Sequence, residues 1–151
     1  PGKLMSGTAV WLIAAVLVQG TIVFVLAVLL YQARIPLVVR GRVRIPDVAL
    51  NREAWPDWSR QVANAFSNQF ELPVLFYVAA LLSLHLAPTL SDAVLAWLFV
   101  VSRGVHAFIH VTTNHVVRRF SAYVAGAVIL AVWWLVLSVR LLIAATAGGV
   151  A

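Results

Sequence analysis

The run TAVWLIAAVLVQGTIVFVLAVLLY, from Thr8 to Tyr31, contains no charged residue. One structure suits such a stretch: an α-helix across a bilayer, which takes about 20 apolar residues and satisfies its backbone N–H and C=O groups internally. Further predominantly apolar segments, each interrupted by a few charged residues, lie at about 59–86, 92–114 and 119–144. With the first, at about 8–31, they predict four spans in a single domain over residues 1–151. Composition agrees, since 63% of the residues are hydrophobic and 11% charged, whereas a soluble domain is about half apolar and about a quarter charged. The expected fold is therefore an all-α integral membrane bundle of four transmembrane helices, with the lipid bilayer as its surroundings and no room for a separate soluble catalytic domain. The opening PGKLMSGTAV has a single lysine and no small-x-small cleavage site, and reads as the start of a true span.

Charge separates the function classes. Lys and Arg number 11 against 5 Asp and Glu, a formal charge of +6. The arginines cluster in loops, as topology signals do, without a basic stripe interleaved with aromatics, so nucleic acid is not an expected partner. Arg34, Arg40, Arg42, Arg44, Arg52 and Arg60 follow the first span, and Arg118 and Arg119 follow the third; Lys3 and Arg140 stand on the other side. The positive-inside rule then makes loops 32–58 and 115–118 cytoplasmic and puts both termini outside. In the long loop, prolines 36, 46 and 56 are expected to break helices, Arg34 to cap the first span, and Trp55 and Trp58 to anchor the second at the interface. Ser91 is expected to cap the third span.

The segment NAFSNQFELPVLFY, residues 64–77, puts polar groups inside the second apolar run. A carboxylate at membrane depth costs about 2.5 to 3.5 kcal/mol even on lenient scales, so Glu71 needs a partner or a role. Steps of three and four residues align Asn64, Asn68 and Glu71 on one helix face, and likewise Arg103, His106 and His110 in the third span. The two stripes lie toward the same membrane face and should meet each other or a cavity. One reading is a structural lock in which Glu71 neutralises Arg103. The other is an anion pocket, because the surrounding arginines outnumber the single glutamate and guanidinium forks suit carboxylates. His106 and His110 could ligate a metal, but the adjacent Arg103 opposes a cation and the expected set holds no metal site. Pro73 should kink the second span near Gln69. Cysteine is absent, and neither a catalytic triad, a phosphate loop nor an HExxH motif is present.

The sequence N68-Q-F-E71-L-P73 resembles the Asn-x-x-Glu motif, with a proline shortly after it, of the MAPEG family, membrane-associated proteins in eicosanoid and glutathione metabolism. The likeness extends from Arg34 through Tyr123. Arg34 matches the family arginine at the end of span one, Asn68 and Glu71 its Asn and Glu, and Arg103 its span-three arginine. His106 resembles the histidine of the prostaglandin synthase branch, His110 takes the place of that branch's tyrosine, and Arg119 with Tyr123 resembles the Arg and Tyr opening span four. Asn64 stands where the family usually has arginine, with Arg60 one turn further out, and Phe120 replaces a serine found in some members. NQFELPVLFY with the R-x-x-H-x-x-x-H stretch looks closest to a bacterial branch, which implies a bacterial inner membrane and periplasmic termini.

The resemblance implies a homotrimer that binds glutathione between neighbouring subunits. Arg34, Asn68, Glu71, Arg103, His106 and His110 would hold the tripeptide, and Arg119 and Tyr123 would act on its thiol. The implied activity is that of a glutathione transferase or peroxidase acting on a small lipophilic electrophile. The alternative is a non-catalytic structural or accessory subunit of a larger membrane assembly, its polar cluster holding the spans together or gripping anionic lipid headgroups.

Overall fold

The computed structural model describes residues 6–147; Lys3, one of the two charges expected on the outer side, lies outside them. Among the described residues four helical stretches are long and apolar enough to cross a membrane. They are helix α1 (Gly7–Val39), the pair α3 (Asp57–Ser67) and α4 (Leu72–His85) forming one interrupted span, α5 (Leu90–Val111) and α6 (Val116–Ala147). A short α2 (Ile45–Val48) and a 3₁₀ turn at Arg52–Ala54 cross the loop between α1 and α3. The protein is an integral membrane four-helix bundle. Its outer surface carries large apolar side chains such as Phe24, 75% exposed, and Phe108, 68% exposed, as lipid contact requires.

Several local expectations change. The first helix does not end at Tyr31 with Arg34 as its cap: it runs through Pro36 to Val39. It stops at Gly41, whose φ of +66° suits glycine, with Gly41 N donating to Val38 O at 2.9 Å and Arg42 N to Leu37 O at 2.9 Å. This paired closure satisfies the last carbonyls of the helix. Pro46 and Pro56 do not simply interrupt helices; they stand at the starts of α2 and α3, where a missing N–H costs nothing. The cap of α5 is Thr89, not Ser91: Asp92 N donates to the Thr89 hydroxyl while the Asp92 carboxylate accepts from Thr89 N, a reciprocal capping box.

The core lies between α1, α4, α5 and α6. Phe76 stacks on Phe99 at 4.9 Å, and the Trp133 ring meets Phe76 at 5.8 Å. Leu12, Ala15, Ala79, Ala80 and Ala96 fill the space around them. Small side chains let the helices approach, since apolar burial alone does not drive association in lipid. The approach is close at Gly126 on α6, where a Cβ would fall 2.6 Å from the Ser102 Oγ of α5. That contact sets α6 against the polar stripe of α5.

Candidate functional site

The interruption of the second span follows from its sequence. Pro73 has no N–H to give the Gln69 carbonyl, so the helix tightens to 3₁₀ over Asn68–Phe70, pauses at Glu71 and restarts at Leu72 with the proline in its first turn. The expected kink is a full break. Helix α5 repairs part of it, because Arg103 Nη2 donates to the Asn68 carbonyl at 3.1 Å. The Asn68 amide lies 3.5 Å from His110 Nδ1.

Around this break, α5 and α6 complete a cavity of about 320 Å³ lined by Asn68, Glu71, His106, Arg119, Phe120 and Tyr123. Arg103, His106 and His110 are buried. The Arg103 guanidinium lies 5.5 Å from the Tyr123 ring centre, the His106 ring 5.8 Å from that of Tyr123 and 5.6 Å from that of His110. Arg119 Nη1 donates to Asn114 Oδ1 at 2.5 Å, which orients the guanidinium from the start of α6. Arg103 Nε and Nη1 and His106 Nδ1 are buried without partners among the described residues. Buried polar groups are normally paired, so this cluster has hydrogen-bonding capacity to spare.

The expected lock between Glu71 and Arg103 does not form. Among the described residues Glu71 has no ion pair, and its side chain stands on an exposed flank of the span. Nor does the Asn64, Asn68, Glu71 stripe share one cavity. Asn64 belongs with Arg34, Arg52, Trp55 and Arg60 to a second cavity, of about 490 Å³, between α1 and α3. Within one chain, then, seven of the eight candidates gather around the break, while Arg34 lies apart. Arg60 reaches toward Asp57, its ion-pair partner.

A scan against protein-family models matches the MAPEG family over residues 9–139, from the first turns of α1 well into α6. The chain belongs to the MAPEG family. Members of this family are often glutathione-dependent and typically trimeric. No curated protein and no solved structure matches the chain.

In this MAPEG protein the N-Q-F-E-L-P stretch is the break itself, and its second residue does work that the sequence reading missed. Gln69 is fully buried, accepts from Gln19 Nε2 of α1 at 3.0 Å through its Oε1, and donates to the Ala65 carbonyl at 3.2 Å. Gln19 is a polar exception in the first apolar run, and a buried amide in a membrane span calls for a partner, which is the signal in the sequence for this pair. Replacing Gln19 with leucine leaves the Gln69 oxygen buried and unpaired. Thermal unfolding in detergent should show a loss of about 1 to 3 kcal/mol, largely recovered when Gln69 is also leucine.

Proposed function

We propose that this MAPEG protein is a homotrimeric glutathione-binding protein of a bacterial inner membrane, acting as a transferase or peroxidase on small lipophilic electrophiles. The observation that carries the reading is the convergence of Arg119, Glu71, Asn68 and Tyr123 on one cavity backed by unpaired buried nitrogens of Arg103 and His106. Glutathione has two carboxylates, an ammonium and a thiol. The guanidinium groups suit the carboxylates, Glu71 suits the ammonium, and the Asn68, His106 and His110 side chains can orient the backbone of the peptide. A positive charge beside sulfur favours thiolate over thiol, and Arg119 would supply it with Tyr123 as hydrogen-bond donor. The exposed flank at Glu71 supports the trimer, since a carboxylate facing lipid is costly and a neighbouring copy would cover it. Such a copy could also bring its Arg34 to the cavity. The electrophile would enter laterally from the bilayer.

A second reading is favoured by Asn64. The family arginine is missing there, and Arg60 is engaged with Asp57 in the other cavity. This reading keeps the trimeric fold as an accessory subunit without glutathione chemistry. Titration of detergent-solubilised protein with glutathione separates the two. Saturable binding at up to millimolar concentration, lost in Glu71→Gln, is expected; no saturable binding would leave the accessory reading. Native mass spectrometry of the same sample should give the mass of three chains.

A further inference from the structure

The cavity of about 490 Å³ between the arginine-rich end of α1 and α3 is not needed by the function proposed above, Arg34 aside. We propose that it is a second binding site, for a phosphate group carried by an anionic lipid headgroup or by a soluble phosphate monoester. The inference goes beyond the glutathione reading and does not depend on it.

Three features support it. Arg34, Arg52 and Arg60 reach the cavity from α1, the loop turn and α3, with Glu53 as the single acid in its lining. The Nε atoms of Arg34 and Arg60 are buried there with no partner among the described residues. Arg60 keeps its Nη2 on Asp57, outside the lining, so its Nε and the Arg34 Nε are the buried donors left for an acceptor, and a tetrahedral anion offers several oxygens to guanidinium groups arriving from separate elements. The setting also fits. The Arg34 guanidinium sits 4.6 Å from the Trp55 ring centre, which holds it in place, and a tryptophan of this kind marks headgroup depth. The Asn51 side chain accepts from Glu53 N at 3.0 Å, shaping the turn that carries Arg52. Leu30, Val48 and Phe66 supply an apolar wall against which a glycerol unit and the first methylenes of an acyl chain can lie. Basic pockets of this type at the inner face of membrane helices suit anionic headgroups.

The test uses the purified full chain in neutral detergent and counts bound lipid by native mass spectrometry. Phosphatidylglycerol should bind at one per chain and be preferred over phosphatidylcholine of the same chain length. Arg52→Gln with Arg60→Gln should weaken it about 25-fold, taking about fivefold per arginine near a membrane surface. Glu53→Gln should tighten it, an effect of opposite sign that no folding defect produces. Arg40→Gln with Arg42→Gln, on the same loop but outside the cavity, should leave binding unchanged. Equal binding of both lipids, or an equal loss in the two arginine pairs, overturns the proposal. Competition identifies the source: displacement by millimolar inorganic phosphate supports a soluble phosphate monoester, and retention supports the lipid. Displacement by glutathione instead would assign the cavity to glutathione and overturn it. Failure of glutathione to bind anywhere leaves these lipid measurements unaffected.

Discussion

Replacing Asp92 with alanine should cost the protein about 3 to 5 kcal/mol, the usual loss when one partner of a buried ion pair is removed. Asp92 is fully buried. Its Oδ2 accepts from Arg140 Nη1 at 2.6 Å and from Thr89 N and Oγ1 at 2.8 Å each, and its Oδ1 accepts from Trp133 Nε1 at 2.9 Å. Arg140 Nη2 donates in turn to the Leu86 and Ala87 carbonyls at 3.0 and 2.8 Å. A single carboxylate thus joins the cap of α5, the core tryptophan of α6 and, through Arg140, the open end of α4. Without it, an arginine that is only 22% exposed loses its counter-charge and the indole N–H is stranded. The midpoint of thermal unfolding should fall by on the order of 10 °C. Asp92→Ala with Arg140→Leu should recover part of that loss, because the unpaired buried charge is gone. An alanine variant unfolding with the native protein would remove the lock from the account of this fold.

Replacing Arg119 with alanine should separate binding from thiol activation. Arg119 lines the cavity at the break and is steered by Asn114, so its charge is positioned rather than free. If it stands beside the glutathione sulfur, it favours the thiolate and lowers the thiol pKa; removing it moves ionisation to higher pH. The ultraviolet thiolate band of the bound tripeptide should then appear only under more alkaline conditions. Reaction with a lipophilic electrophile at neutral pH should fall about a hundredfold, the scale on which loss of one preorganised electrostatic contact acts. Arg119→Lys should restore part of the thiolate band. A variant that still binds glutathione with an unchanged thiol titration would exclude the thiolate role while leaving the binding site intact.

Much of this arrangement was legible beforehand, for a clear reason. Apolar run length is a direct consequence of bilayer thickness, so the span count follows from it, and polar residues in those runs are rare enough that Asn68, Glu71, Arg103 and His106 announce themselves. Side-chain pairing was less legible. Glu71 and Arg103 looked like natural partners by depth and charge, yet Arg103 turns to the Asn68 carbonyl that the proline break exposes. Arg140 looked like a topology charge and is instead half of an ion pair with Asp92 that ties α5 to α6. The T-x-x-D spacing from Thr89 could have revealed the cap but not the distant arginine.

What the sequence alone determined is whatever depends on local pattern: a membrane-spanning helical bundle, its family, a distortion of the second span near Gln69 and the residues rich enough in chemistry to form a site; that the distortion is a full break came from the structure. The tertiary structure decided which of those residues share a cavity. Arg34, Arg60 and Asn64 fell to one side of the second span, and Asn68, Glu71, His106, Arg119 and Tyr123 to the other. The reason lies in packing. Periodicity places residues on a helix face, but which cavity a residue lines is set by the helices packed against it: Asn64 lies beside the end of α1 and the loop, while Asn68, one turn on, meets α5 through Arg103 and His110.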